Sequence, residues 1–120
     1  MNEKKINTLF TVNLDGESFW EGMFEGTEKR PKTLSMGEYG IRRGLDRVLR
    51  VFREHQVEAT FFVPGVIARR HPQAVEKILD GGHEIAFHGD THRPMQLLSD
   101  EELAEEFSRG TESLRKLTGV

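Results

Sequence analysis

The sequence predicts an α/β fold with parallel strands, and two observations predict it. Short β-rich runs alternate three times with helical-period segments, an order that favours parallel strands joined by right-handed crossovers. The polar residues suited to chemistry also fall where those runs end, at the edge where parallel sheets gather reactive groups.

The elements follow in order. The run "INTLFTVNLD" (6–15) is apolar and β-branched and ends in Asp-Gly, which predicts a strand. The polar, glycine-bearing segment 16–40 reads as a long connection. "IRRGLDRVLRVFREHQV" (41–57) sets Ile41, Leu45, Val48, Leu49 and Phe52 at helical spacing, with Gly44 a weak point worth about 1 kcal/mol. "EATFFVPG" (58–65) is a short strand stopped by Pro64-Gly65. "HPQAVEKILDGG" (71–82) is a helix with Val75, Ile78 and Leu79 on one face, ended by Gly81 or Gly82 in the left-handed conformation. "HEIAF" (83–87) is the third strand. Ser99 and Glu102 then form a capping box, flanked by the staple pair Leu98 and Leu103. The stripe Leu103, Phe107, Leu114, Leu117 runs on to Gly119, and the acidic run 99–106 suits the positive end of the helix dipole.

Composition excludes several classes. The 120 residues carry 17 Lys+Arg against 20 Asp+Glu, a formal charge of −3, so nothing favours nucleic acid as a partner. There is no cysteine, hence no disulfide and no thiolate metal site. The N-terminus lacks the apolar core of a signal peptide and no run reaches spanning length, so no membrane is expected and the location read is cytoplasmic.

Strand parity selects the candidate site. Phe10, Val12 and Leu14 share one face of the first strand, and Thr11, Asn13 and Asp15 share the other. Ile85 and Phe87 oppose Glu84, Ala86 and His88 in the third strand. The apolar sets suit packing under helices, which leaves Asp15 and His88 on the opposite side. His92 follows in a loop bounded by Gly89 and Pro94. One carboxylate and two imidazoles make a three-ligand set that leaves a position open on a divalent metal, Zn²⁺ first, with Co²⁺, Mn²⁺ or Fe²⁺ compatible; the plain alternative is that His88 and His92 are solvated loop histidines, since H-x-x-x-H recurs by chance. Other residues have plainer readings. His55 and His71 are assigned to the surface, and His83 to a turn hydrogen bond. Phe19, Trp20 and Phe24 either line a substrate pocket or anchor the first connection.

The segments "LFTVNLDGE", "LSMGEYGIRRGLDRVLRVF", "VEATFFVPG" and "GGHEIAFHGDTHRP", in this order and through nearly all of the chain, resemble the polysaccharide deacetylase (NodB-homology) family. Within it they resemble the branch of cytosolic peptidoglycan-deacetylase-like and allantoinase-like proteins. The resemblance implies that residues 1–120 are the N-terminal part of a distorted (β/α) barrel. It implies hydrolysis of a non-peptide carbon–nitrogen bond in an N-acetylated sugar or a small cyclic amide or imide. It also implies that Asp15, His88 and His92 are the metal ligands. The family's general base precedes the aspartate ligand by two positions, and here Asn13 stands in that catalytic place. An amide cannot take up and hold a proton as a carboxylate does. A shifted reading makes Asp15 the base and Glu17 the ligand, but parity puts Glu17 beyond the strand. A barrel of this type takes roughly 250 residues, and the later motifs that supply an arginine, further pocket walls and a proton-donating histidine are not in the chain. The expectation is therefore of a fragment, a truncated product, or a half completed by association with a second copy. A catalytically silent metal- or partner-binding member is the alternative.

Overall fold

The structure is a computed structural model that describes residues 4–120. Its strands are β1 (Thr11–Asn13), β2 (Thr60–Val63) and β3 (Glu84–Phe87), in one sheet of order β1-β2-β3 with both pairs parallel. The register places Val12 beside Phe61 and Phe61 beside Ile85. The predicted parallel sheet is therefore present, with each crossover made by helix.

The first strand is shorter than the run 6–15. Its hydrogen bonding extends only from the Phe10 carbonyl, which accepts from Thr60 N at 3.0 Å, to Leu14 N, which donates to Phe62 O at 2.9 Å. Ile6 and Leu9 lie outside the ladder, almost fully exposed. Apolar composition predicts a strand only where a neighbour is long enough to pair with it, and β2 is four residues long.

The connection 16–40 is mostly helical. Helix α1 (Ser18–Met23) is followed by a 3₁₀ turn at Thr27–Lys29 and by α2 (Pro31–Tyr39), with Pro31 in the first turn. A π turn at Gly40–Gly44 leads directly into α3 (Leu45–Glu54). Two of the glycines that suggested a loop are contact points within this helical stretch. A Cβ on Gly22 would lie 2.5 Å from the His92 carbonyl oxygen, and one on Gly37 would lie 2.7 Å from the Glu17 Cα. Buried Thr27 ties off α1 by donating its hydroxyl toward the carbonyls of Trp20 and Phe24, at 3.0 and 2.8 Å.

After β2, Gly65 opens a helix rather than merely stopping the strand. Helix α4 (Gly65–Arg70) runs almost without pause into α5 (Pro72–Asp80). Gly82, at φ +79°, makes the left-handed exit, while Gly81 stays right-handed. After β3, a 3₁₀ turn at Met95–Leu97 precedes α6 (Asp100–Thr118). The capping box forms as predicted: Glu102 N donates to Ser99 Oγ at 3.2 Å, and Ser99 N donates to Glu102 Oε2 at 2.9 Å. Gly119 closes the helix at φ +75°.

The core lies between the helices and one face of the sheet. Phe61, Val63, Ile67, Val75 and Ile78 are completely buried, with Leu14, Ile41, Leu45 and Leu114 around them. Each such side chain contributes about 1.5–3 kcal/mol by leaving water. Phe107 departs from the predicted stripe of α6: it is half exposed and stacks on Phe87 with ring centroids 5.1 Å apart. His83 is also reassigned. It is buried among Phe52 and Phe61, and its Nδ1 accepts from Ala59 N at 3.2 Å, linking the entries of β2 and β3 instead of closing a turn. His55 is exposed, as expected. The opposite sheet face carries Thr11, Asn13, Thr60, Phe62, Glu84 and Ala86, with no helix over it among the described residues. There the Thr60 hydroxyl donates to Glu84 Oε2 at 2.6 Å. Among the described residues no helix is long and apolar enough to cross a membrane.

Candidate metal centre

Asp15 leaves β1 at the carboxyl edge of the sheet. The chain turns immediately at Gly16, whose φ of +53° favours glycine and whose missing side chain makes room for Ile41. Ser18 fixes the turn: its hydroxyl donates to the Asp15 carbonyl oxygen at 2.6 Å and its amide to the same oxygen at 3.1 Å.

His88 leaves β3 at the same edge. Gly89 at φ +73° then bends the chain, and His92 adopts φ +61°, a left-handed conformation uncommon for a residue with a side chain. The start of α4 grips this loop, with Gly65 N donating to Gly89 O and Val66 N to Asp90 O, both at 3.0 Å. Arg69 adds two bonds to the buried Asp90 carboxylate, at 2.5 and 3.1 Å, and one to Ser113 Oγ at 2.6 Å.

The two stretches meet. His88 Nε2 lies 3.1 Å and His92 Nε2 3.4 Å from Asp15 Oδ1, and one ligand atom from each residue falls within 4.8 Å of the others. The imidazoles stand edge to face with centroids 5.1 Å apart. Phe62 packs on His88 at 6.2 Å and Phe19 on His92 at 5.6 Å, which limits rotation of both rings. Burial holds the His88 pKa below the usual imidazole value and the neighbouring His92 pushes it the same way, against the opposing pull of Asp15. Burial and His92 both disfavour the protonated ring, the form that cannot ligate a metal. Asp15 Oδ1 is buried and accepts no hydrogen bond despite the nearby ring nitrogens. An orphaned carboxylate oxygen facing imidazole nitrogens is costly unless a cation takes the place of the missing donors. The donor set, one oxygen and two nitrogens with no sulfur, fits Zn²⁺ or a harder divalent ion.

Asn13 shares the Asp15 face of β1 and is exposed. Glu17 turns elsewhere, which removes it as an alternative ligand. It is buried, with Oε1 3.0 Å from His71 Nε2 and 3.3 Å from Arg70 Nη1. His71, partly buried, is thus paired with a buried carboxylate and is not a free surface residue. The sequence places it at the junction of α4 and α5, but nothing local reveals that α1 lies opposite. Burial raises the Glu17 pKa, yet hydrogen bonds from His71, from its own backbone amide and from Arg70 outweigh that and hold it below the ordinary glutamate value. Glu17→Gln is expected to cost about 1–3 kcal/mol at neutral pH. A depressed carboxylate contributes stability above its unfolded-state pKa and loses it as pH falls through the folded-state value, so the gap from the parent should close in acid. Urea unfolding at a series of pH values checks this, and a pH-independent difference would show that the charge contributes nothing.

The aromatic residues of α1 and Phe24 just after it pack on one another, Phe19 meeting Trp20 at 5.4 Å and Phe24 at 6.2 Å, while Phe19 also meets His92 of the loop. The anchoring reading of these residues therefore has direct contacts behind it. Three supporting residues, Asp90, Arg69 and Glu106, were not singled out by the sequence. Glu106 falls in the acidic run assigned to the helix start, yet it is buried. The usable signal was Gly110 one turn later, which marks the face of α6 pressed against the loop.

Comparison with known proteins agrees with this architecture. The sequence profile for polysaccharide deacetylase matches residues 27–120. A peptidoglycan deacetylase from Helicobacter pylori is 28% identical over 116 residues, covering 97% of this chain and 39% of its own length. A Mycobacterium smegmatis protein assigned as a polysaccharide deacetylase superposes with TM-score 0.86 at 36% identity, over 93% of this chain and 39% of its own. PuuE allantoinase superposes at 0.79 with 22% identity, over 92% of this chain and 42% of its own. A CE4-family pseudoenzyme from Bacillus anthracis does so at 0.67 with 21% identity, over 93% and 32%. The last two show the shared fold. This chain spans about two-fifths of the length of the Helicobacter and Mycobacterium proteins, and its sheet and helices match the N-terminal part of the deacetylase (β/α) barrel. With the profile running over residues 27–120 and the fold superposing on that of the Mycobacterium protein at TM-score 0.86, the chain belongs to the polysaccharide deacetylase family.

Proposed function

We propose that this chain carries the metal-binding part of a hydrolase that cleaves the carbon–nitrogen bond of an N-acetyl group on a saccharide. The observation that carries the reading is the convergence of Asp15, His88 and His92 around a buried carboxylate oxygen that has no hydrogen-bond donor. Family membership supports the reaction class.

Asp15, His88 and His92 would hold a divalent ion, which would supply Lewis acidity toward an amide carbonyl and make a water easier to deprotonate. The chain's own residues do the rest. Asp15 would supply a carboxylate oxygen and His88 and His92 an imidazole nitrogen each. Phe19 and Phe62 keep both rings from turning away. Asn13 can orient a water or a carbonyl by hydrogen bonding, but it cannot carry a proton between reactants. Proton uptake must therefore come from another group. Asn13 also favours a second reading, in which the site binds metal or a partner without turnover.

The test measures Zn²⁺ stoichiometry after chelation and reloading, together with acetate release from N-acetylglucosamine oligomers and hydrolysis of cyclic ureides. One bound Zn²⁺ with Zn²⁺-dependent acetate release is expected. Bound Zn²⁺ without turnover of any of these would establish the silent reading, and no bound Zn²⁺ would remove the metal reading.

A further inference from the structure

We propose that Glu106 is a positioning residue for the histidine pair, a buried carboxylate on α6 that holds the 88–92 loop in its ligating shape. This inference rests on the reading of Asp15, His88 and His92 as a metal site.

The loop needs an external restraint. Gly89 and His92 both have positive φ, and a non-glycine residue there persists only when its surroundings impose it. The bonds from α4 reach the carbonyls of Gly89 and Asp90, and Arg69 reaches the Asp90 side chain. None of these grips Thr91, the residue next to His92. Glu106 does. Its Oε2 accepts from Asp90 N at 2.8 Å and from Thr91 N at 2.9 Å, and its Oε1 accepts from the Thr91 hydroxyl. Both oxygens are thus occupied by one dipeptide, and neither is among the clustered ligand atoms.

The helix can deliver this carboxylate because Gly110 lacks a side chain. A Cβ there would lie 2.7 Å from Gly89 O and 2.7 Å from the Phe87 ring. Bonds to an ionised acceptor are roughly twice as strong as neutral ones, which suits a clamp on a strained segment. An isosteric glutamine would keep one accepting oxygen and turn an amide donor toward the Asp90–Thr91 dipeptide in place of the second.

The test compares Glu106→Ala, Glu106→Gln and Thr91→Val with Leu114→Ala, a core substitution on the same helix. Co²⁺ affinity is read by chelator competition, ligand geometry by the Co²⁺ d–d spectrum, and amide exchange at Asp90 and Thr91 without metal. Glu106→Ala is expected to weaken Co²⁺ binding about 10–100-fold, to alter the spectrum and to speed exchange at both amides. Glu106→Gln and Thr91→Val should shift all three in the same direction by less. Leu114→Ala should lower Tm while leaving affinity and spectrum unchanged. Parental affinity, spectrum and amide protection in Glu106→Ala would overturn the proposal, as would an equal loss of affinity in Leu114→Ala. If Glu106→Ala does not fold, the two milder variants decide by the same readouts. Failure of the unsubstituted chain to bind Co²⁺ removes the metal reading instead, and amide exchange still decides whether Glu106 clamps the loop.

Discussion

His88→Ala is expected to weaken Zn²⁺ binding by well over the ~10–100-fold that outer-shell substitutions cost, because it deletes one of three protein ligands. Asp15→Asn should be comparably severe. It keeps the shape of the side chain but removes the negative charge opposite the cation, in a half-buried site where that charge is poorly replaced by water. His92→Ala completes the set, and its ring is the least exposed of the three side chains. The metal-free variants should not unfold. His88 and His92 lie outside the hydrophobic core, and removing a ring relieves the crowding of lone pairs around Asp15 Oδ1. Chelator competition gives the affinities and metal-free thermal unfolding gives the control. Unchanged Zn²⁺ affinity in any one of the three variants would sink the shared-ion reading.

Asn13→Asp is expected to raise acetate release by about 10²–10⁴-fold, the usual contribution of a well-placed general base. Position 13 shares the sheet face of Asp15, two residues before it, so its side chain rises toward the same edge. The β1 backbone there is already paired with Phe62, and the side chain is exposed, so the substitution places no charge in the core. Rates of the parent and of the Asn13→Asp variant on N-acetylglucosamine oligomers, each loaded with Zn²⁺, make the comparison. A gain from an inert parent would assign the silent reading to this one residue. No gain, with Zn²⁺ bound in both, would show that position 13 does not supply the proton acceptor.

The two effects differ in kind. The first concerns whether an ion is held at all, and the second whether a held ion is used. A chain that passes the first and responds to the second has a complete ligand set and an incomplete proton path.

Much of this site was legible before any coordinates. Period-two alternation alone put Asp15 and His88 on the same side of their strands, and parallel order put them at the same edge. The capping box of α6 and the left-handed glycine after it were equally readable, since each depends on a few consecutive residues. Segment 16–40 was not. Its glycines look like loop punctuation, and only the partner against each one shows that Gly22 and Gly37 are sites of close approach. Strand β1 is shorter than the run 6–15 for a related reason: Ile6, Thr8 and Leu9 suit a strand, but no neighbouring strand reaches them.

By itself, then, the sequence determined the parallel α/β order, the faces of the strands, the caps of the last helix and the three side chains to watch. All of these are set by bonding and periodicity within a few residues. The tertiary structure decided that Asp15 Oδ1 would be left without a donor between two imidazoles. It also decided that Glu17 would turn to His71, that His83 would enter the core and that Glu106 would reach the histidine loop. Those outcomes depend on which distant segment packs opposite, and burial and hydrogen-bond satisfaction are properties of the packed pair that neither segment carries alone.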